Sequence, residues 1–300
     1  MPDLQCSDLH AAAWPGPTRD LLAHSQGQLP GAVGRGLTAP TGPGQPASVT
    51  VDDGAGGPAV EVELYAPERR EELAAAVASA YGAGGAVCID FTHPSAVNGN
   101  AEWYVKHSLP FVMGTTGGDR AALEATVDAA RTYCVIAPNM AKQIVALQAA
   151  LERMAAAFPG SFGGYTLSVA ESHQATKADT SGTAKAISAH LAKLTGEAAE
   201  WSDERIERVR EPAAQAAGGG PSHRGVSPVP DAALGGHAFH TYSMLSADGQ
   251  VEFQMRHNVQ GRTTYAEGTV DAALFLAGRI SAADARRRFN MIDVLEAGAM

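Results

Sequence analysis

The chain has 300 residues, which is enough for one large domain or two domains of ordinary size. Its 22 Lys and Arg against 32 Asp and Glu give a formal net charge of −10, and this balance argues against a nucleic-acid binder, which needs a basic face. Apolar residues make up 45% of the chain, so a sizeable core can form. The sequence contains no apolar run of about 18 residues, so it predicts no membrane-spanning helix. The 3 cysteines lack metal-ligand spacing and predict a reducing compartment and no metal site.

Residues 1–59 are predicted to be a disordered or low-complexity segment. They are rich in proline, which blocks ladder hydrogen bonds, and in glycine, which raises the entropy cost of ordering. They also lack the charged and apolar regions of a secretory signal. The ordered chain is therefore expected to begin near residue 60.

From residue 60 onward, short apolar strands alternate with helices. Strands are predicted at 61–64, 86–89, 109–113 and 133–136, and helices at 67–80, 94–106 and 120–131. Continuous apolar strands separated by helices are typical of βαβ units and of a parallel sheet covered on both faces. We therefore predict an α/β chain with a Rossmann-like dinucleotide-binding domain over 60–140, completed by 270–300.

A long helix predicted over 142–158 marks a change of pattern. After it come predicted strands at 165–169, 236–245 and 251–259, a helix at 183–194, a Gly/Pro-rich loop at 213–230, and late helices at 269–279 and 282–295. Asp248-Gly249 between the last two strands is a hairpin signal. This mixture predicts an α+β domain over 141–269 for substrate binding and oligomerisation.

The segment 171–184, Glu-Ser-His-Gln-Ala-Thr-Lys-Ala-Asp-Thr-Ser-Gly-Thr-Ala, runs from a strand end to a helix start. His173 and Lys177 are two proton carriers within one loop. Ser181, Gly182 and Thr183 stand at the helix start, where backbone N–H groups and hydroxyls bind carboxylates. Each feature alone is also typical of a structural histidine or an ordinary N-cap. Together they favour a site for a small anionic substrate that must be protonated.

Small and polar residues also follow three predicted strands of the first domain, at 90–92, 114–117 and 137–140. Parallel sheets bind ligands beyond the carboxyl ends of their strands. Small residues there let a flat ring approach the backbone, although each segment alone is also typical of an ordinary βα turn.

The segment 171–184 resembles the signature of dihydrodipicolinate reductase (4-hydroxy-tetrahydrodipicolinate reductase) of lysine biosynthesis, in its plant and algal form. The stretches 90–95, 111–118, 236–240 and 266–269 are similar to further parts of this family. Bacterial members carry a second histidine where Gln174 stands, and a proline before the Ser-Gly-Thr run that is absent here. The resemblance extends from about residue 60 to the end of the chain.

The resemblance implies reduction of 4-hydroxy-tetrahydrodipicolinate to tetrahydrodipicolinate by NADPH or NADH, in the diaminopimelate route to lysine. It implies that His173 is a proton donor/acceptor and Lys177 a proton donor. The substrate-binding positions are Gln174, Ser181, Gly182 and Thr183. The positions that hold the nicotinamide end are Gly114, Thr115, Thr116, Ala137, Pro138, Asn139 and Met140. The expected partner is a small dicarboxylate, with no nucleic acid and no membrane. A homo-oligomer, dimer or tetramer, and a chloroplast location (otherwise cytoplasmic) are also expected.

The sequence departs from the family at the phosphate-binding turn. Family members open with a strand, Gly-x-x-Gly-x-Met-Gly and a helix, which places the pyrophosphate at the helix N-terminus. The candidate here, 31–36, has no apolar strand before it, and Pro40, Pro43 and Pro46 follow it. We therefore expect an N-terminally incomplete dinucleotide-binding domain and weak cofactor binding. The alternative function is a non-catalytic relative that retains the substrate domain and its oligomer contacts.

Overall fold

The computed structural model describes residues 34–37, 48–51, 60–82, 85–115, 117–219, 225–261 and 263–298. The chain divides into two compact units, of which the first comprises Met1–Met140 and Glu267–Met300 and the second Ala141–Ala266. Among the described residues, every helix is too short or too polar to cross a membrane.

The described strands are β1 (Gly34–Leu37), β2 (Ser48–Val51), β3 (Val60–Tyr65), β4 (Cys88–Asp90), β5 (Phe111–Met113), β6 (Cys134–Ile136), β7 (Thr166–His173), β8 (Ile206–Val209), β9 (His237–Leu245), β10 (Glu252–Gln260) and β11 (Arg288–Phe289). The described α-helices are α1 (Arg70–Tyr81), α2 (Val97–Lys106), α3 (Arg120–Ala130), α4 (Lys142–Ala157), α5 (Gly182–Thr195), α6 (Pro212–Ala217), α7 (Thr263–Ser281) and α8 (Met291–Glu296).

The first unit contains a parallel sheet with the strand order β11-β6-β5-β4. Every residue of β5 and β6 is buried, which explains why these strands are continuously apolar in the sequence. Leu123 and Val127 of α3 pack in the same core as Phe111. The predicted parallel arrangement of β4, β5 and β6 in one sheet is confirmed.

A second sheet in this unit has the order β1-β3-β2, with β1 parallel and β2 antiparallel to β3. The prediction of loop or disorder throughout 1–59 is therefore wrong for β1 and β2, whose backbones pair with β3. The β-branched residues of β2 suit a strand. Because 34–36 lie in a strand, they do not form a phosphate-binding turn before a helix. The rest of 1–59 lies outside the described residues.

The C-terminal part of the first unit differs from the predicted helix over 282–295. Ala283 has a positive φ of 50°, β11 pairs with β6, and α8 begins only at Met291. Asn290 and Asp293 form a capping box, which starts a new helix and so explains the interruption. Phe289, Met291 and Val294 are buried.

The second unit is built on a mixed sheet with the order β10-β9-β7-β8. β8 is parallel to β7, whereas β9 is antiparallel to both β7 and β10. The β9–β10 hairpin turns at Gly249, where φ is 71°, as the Asp-Gly pair predicts. The short elements β8 and α6 are absent from the sequence prediction.

One face of this sheet forms a core with α4 and α5. Leu167 and Val169 of β7 and Tyr242 of β9 pack with Ile187 and Leu191 of α5. The α5 helix ends at Gly196, which has a φ of 82°, close to the predicted end. This packing fixes the carboxyl end of β7 relative to the start of α5.

Candidate active site

The candidate site occupies the polar end of this sheet face. His240 of β9 lies opposite Glu171 of β7 and opposite His257 of β10. Because side chains alternate along a strand, Glu171 and His173 share the face of Val169. Three strands thus bring four titratable side chains to one end of an apolar core.

The Glu171 carboxylate holds the two ends of the following loop together. Its side chain is 0% exposed, yet it is paired on both oxygens. Arg210 Nη2 donates to Oε1 over 2.6 Å, and the Ser181 N–H donates to Oε2 over 3.0 Å. A buried carboxylate needs such partners because desolvation of the charge is costly.

Arg210 also fixes the middle of the loop. Its Nε donates to the Lys177 carbonyl over 2.9 Å, and its Nη2 donates to the Asp179 carbonyl over 3.3 Å. The buried Gln215 amide donates to the His173 carbonyl over 2.7 Å. The sequence analysis missed Arg210 and Gln215, because they follow the unpredicted strand β8. The sequence Ile-Glu-Arg-Val of β8 does not alternate between apolar and polar residues, so it carries no period-2 strand signal.

His173 is 8% exposed. Its Nε2 lies 3.0 Å from His240 Nε2 and 3.9 Å from Glu171 Oε2. Burial, followed by the charges of Lys177 and Arg210, lowers the pKa of His173 to about 3. The ring is therefore neutral at physiological pH.

Lys177 carries the cation nearest to solvent in this loop segment. Its side chain is partly exposed, and its Nζ donates to Asp179 Oδ1 over 2.7 Å. The hydrogen bond from Lys177 lowers the pKa of Asp179. Because the Asp179 side chain is 77% exposed, this ion pair contributes little stability and a ligand carboxylate can replace it.

The start of α5 lies beside the same loop. Ser181 is the N-cap, and its Oγ accepts a hydrogen bond from Ala184 N–H over 3.4 Å. The backbone N–H of Ser181 is already bound to Glu171, so the donor that Ser181 can offer to a ligand is its hydroxyl group. Gly182 is exposed, and Thr183 and Gln174 are half-buried. The structure thus brings all six predicted catalytic and substrate-binding residues to one loop–helix junction.

Three of the predicted nicotinamide positions follow β5 in the first unit, and two of them are described. Gly114 N–H donates to the Asp90 carbonyl over 2.9 Å, and Thr115 Oγ1 donates to the Thr92 carbonyl over 2.8 Å. A Cβ on Gly114 would lie 2.3 Å from the Phe91 ring, so this position requires glycine. Thr116 lies outside the described residues.

The other four positions follow β6, at the same edge of the parallel sheet. Ala137 and Met140 are buried, Asn139 is half-buried and Pro138 is exposed. Because the side chains of Ala137 and Met140 are buried, only the backbone groups of these two residues could contact a ligand. Loops after adjacent parallel strands form the kind of crevice that binds nucleotides.

Glu171, His173 and His240 also place their ligand-type atoms within 4.8 Å of one another. These atoms are engaged with other groups, since the carboxylate binds Arg210 and Ser181 and the two rings bind each other. The Arg210 guanidinium, 2.6 Å from the carboxylate, also opposes a divalent cation. The cluster is a hydrogen-bonded network and does not fit a metal site.

Comparison with known families gives matches over most of the chain. The family described as "Dihydrodipicolinate reductase, N-terminus" matches residues 55–140, and "Dihydrodipicolinate reductase, C-terminus" matches residues 143–295. The chain belongs to the dihydrodipicolinate reductase family. The resemblance predicted from segment 171–184 is therefore confirmed, as is the predicted fold class.

Plant relatives match at high identity. The chain is 47% identical over 240 residues to "4-hydroxy-tetrahydrodipicolinate reductase 2, chloroplastic" of Arabidopsis thaliana, covering 80% of this chain and 65% of that protein. It is 45% identical over 240 residues to "Probable 4-hydroxy-tetrahydrodipicolinate reductase 2, chloroplastic" of Oryza sativa subsp. japonica, covering 80% and 70%. The match thus spans about two thirds of the length of these relatives.

A solved structure also resembles this chain. It is the dipicolinate-bound dihydrodipicolinate reductase from Paenisporosarcina sp. TG-14, at 18% identity and a TM-score of 0.48, with 76% of this chain and 78% of that chain covered.

Proposed function

We propose that the chain catalyses the NADPH- or NADH-dependent reduction of 4-hydroxy-tetrahydrodipicolinate to tetrahydrodipicolinate. The reductase names of its family relatives support this reaction. The observation that carries the proposal is the loop–helix junction of the second unit. There Lys177 holds a carboxylate at 2.7 Å beside the start of α5.

The junction suits a small dicarboxylate. We assign one substrate carboxylate to Lys177, where it would replace the exposed Asp179 side chain. The first turn of α5, with Gly182 and Thr183, is the proposed site for the second, because helix N-termini favour anions. Gln174 is the residue directly after His173, and we assign it a contact with the same ligand.

Reduced nicotinamide would supply the hydride. In the net reaction the hydride replaces the 4-hydroxyl group of the substrate, so a C–O bond breaks, one proton is consumed and water leaves. Lys177 is proposed to supply that proton, because its ammonium is the cation that contacts the substrate carboxylate. His173 is the position that the family resemblance implies to be a proton donor/acceptor. Because it is buried and neutral, we propose that it orients the substrate while Lys177 supplies the proton. The ion pair between Glu171 and Arg210 holds the loop that carries Lys177 in position during the hydride and proton transfers.

The first unit is the proposed cofactor-binding unit. The turns after β5 and β6 are the proposed binding place of the nicotinamide carboxamide, and Gly114 allows the Phe91 ring to lie directly against the backbone of the first turn. Residues 34–36 lie in β1 and do not offer a helix N-terminus to the pyrophosphate. We assign the nicotinamide end to Gly114, Thr115, Thr116, Ala137, Pro138, Asn139 and Met140.

We also propose a homo-oligomer and a chloroplast location. The strand β10 is an edge strand of nine residues, and its Phe253 is 49% exposed, which suits pairing with a second copy. Light scattering after size exclusion tests the assembly. The location follows the names of the plant relatives and is tested by microscopy of a fluorescent fusion.

The activity is tested by following reduced-nicotinamide absorbance in the purified chain with 4-hydroxy-tetrahydrodipicolinate generated in situ. We expect substrate-dependent oxidation with at least one of NADPH and NADH, at cofactor concentrations up to the millimolar range. The control reaction omits the substrate.

A parallel titration distinguishes the alternative function. Pyridine-2,6-dicarboxylate, a stable planar dicarboxylate, is titrated by calorimetry. Binding of this compound without binding or oxidation of either cofactor would identify a non-catalytic relative. Failure to bind the dicarboxylate at all would contradict the substrate site.

A further inference from the structure

Three side chains extend the site along the sheet beyond His173. His240 Nε2 lies 3.0 Å from His173 Nε2, and His240 Nδ1 lies 3.0 Å from the Tyr242 hydroxyl. That hydroxyl lies 3.4 Å from His257 Nε2. His240 and Tyr242 are buried, whereas His257 is half-buried. Four groups are thus joined by three hydrogen bonds within the second unit.

All four groups are neutral at pH 7. Burial lowers the pKa of His173 to about 3 and that of His257 to about 4. It also holds the pKa of His240 well below its usual range and raises the pKa of Tyr242. Each ring therefore carries one N–H and one bare nitrogen, and the tyrosine carries its hydroxyl proton.

With one proton on each group, all three hydrogen bonds form only if they point the same way. In one arrangement, His257 Nε2 donates to Tyr242, Tyr242 donates to His240 Nδ1, and His240 Nε2 donates to His173 Nε2. The proton of His173 then lies on Nδ1. In the reverse arrangement, His173 carries its proton on Nε2 and His257 carries its proton on Nδ1.

The environment of His257 decides between these arrangements. Its Nδ1 is buried and has no hydrogen-bond partner among the described residues. The reverse arrangement would place a proton on this atom, and a buried N–H without an acceptor is rarer than a bare buried acceptor. We propose that His240 is a positioning residue that holds His173 in the tautomer protonated on Nδ1, with His173 Nε2 accepting a hydrogen bond from His240, and that Tyr242 links His240 to His257.

This assignment rests on the proposed function and refines it. A neutral His173 whose Nε2 accepts a hydrogen bond has no proton to give from that nitrogen. Lys177 then supplies the proton to the substrate, and His173 acts as an oriented polar group. His240 and Tyr242 act only through His173.

The test is a long-range ¹H–¹⁵N correlation spectrum of the full chain labelled at histidine. Each ring signal is assigned by its loss in a His→Gln variant. We expect His173 protonated on Nδ1, and His240 and His257 protonated on Nε2. In His257→Gln, the ring whose buried Nδ1 disfavours the reverse arrangement is gone, so His240 and His173 should shift toward the other tautomer.

The matched control is Tyr165→Phe, which removes a hydroxyl elsewhere in the second unit and should leave the His173 signals unchanged. In Tyr242→Phe, which removes only the hydroxyl, the reverse arrangement would leave a buried His240 Nδ1–H without an acceptor, so His173 should stay protonated on Nδ1. Protonation of His173 on Nε2 in the unmodified chain or in Tyr242→Phe, or an unchanged His173 tautomer in His257→Gln, would overturn the proposal. The spectra need no turnover, so an inactive chain with the expected tautomers would contradict only the proposed reductase.

Discussion

The half-buried Arg210 forms an ion pair at 2.6 Å with the fully buried Glu171 carboxylate, and the pair joins the end of β8 to the end of β7. The same guanidinium donates to the carbonyls of Lys177 and Asp179. The pair therefore connects the sheet to the loop that carries the proposed acid. Its loss would leave a carboxylate buried without its cation.

We expect Arg210→Met to lower the free energy of unfolding by about 3–5 kcal/mol, because breaking a buried ion pair leaves one uncompensated charge. Adding Glu171→Gln removes that charge and should restore part of the loss. Urea unfolding followed by circular dichroism measures both. Arg208→Met is the control, since Arg208 is exposed and its guanidinium donates to the Ala178 carbonyl, its one side-chain partner among the described residues. Equal losses in the free energy of unfolding for Arg208→Met and Arg210→Met would show that the ion pair of Arg210 with Glu171 has no special stabilising role.

The site was predictable from sequence where its residues are close along the chain. His173, Lys177 and Ser181 lie within one strand–loop–helix segment, whose ends are signalled by an apolar strand and an N-cap. The parallel sheet of the first unit was also predictable from local pattern, because its strands are continuously apolar and helices separate them along the chain. Local pattern therefore locates the proposed catalytic loop.

The partners of this loop were not predictable, because they come from distant strands. Arg210 is 39 residues from Glu171, and His240 is 67 residues from His173. Their placement depends on the register of β7 against β8 and β9, which buried neighbours and turn geometry set together. The strands β1 and β2 were missed because their order comes from pairing with β3.

We expect Lys177→Ala to lower kcat by about 10²–10⁴-fold, the usual effect of losing a general acid. The steady-state rate of NADPH or NADH oxidation measures it. Lys185→Ala is a matched control, because Lys185 is an exposed lysine of α5 paired with Asp203. Near-normal kcat in Lys177→Ala would mean that Lys177 binds substrate but does not donate the proton.

We expect Thr183→Val to raise KM for the dicarboxylate while kcat changes little. The hydroxyl is proposed to contact a carboxylate that is present in both the ground state and the transition state, so its loss weakens both equally. Initial rates over a range of substrate concentrations separate the two constants. Thr166→Val, at the exposed start of β7, should change neither. A fall in kcat at constant KM would contradict the binding role.

We expect Gly114→Ala to raise the Kd of the cofactor by at least about 10-fold, since one lost hydrogen bond of about 1.4 kcal/mol has that effect. The added Cβ would lie 2.3 Å from the Phe91 ring, so the loop after β5 must move. Gly99→Ala is the control, because a Cβ there meets nothing within 4 Å. Calorimetric titration with NADPH and NADH measures the change, and unaltered affinity in Gly114→Ala would remove this loop from the cofactor site.

The buried histidines predict how stability depends on pH. His257 has a pKa of about 4 in the folded chain, against about 6.5 when unfolded. Between these values the unfolded chain binds a proton that the folded chain does not, so the free energy of unfolding falls as pH is lowered from about 6.5. Each such group contributes a slope of up to about 1.4 kcal/mol per pH unit.

His257→Gln should therefore make the decline in the free energy of unfolding between pH 6.5 and 5 shallower by up to that amount, as measured by urea unfolding at several pH values. Tyr165→Phe, which removes no histidine, should keep the original slope, and an equally steep decline in His257→Gln would show that His257 is not held neutral by the fold.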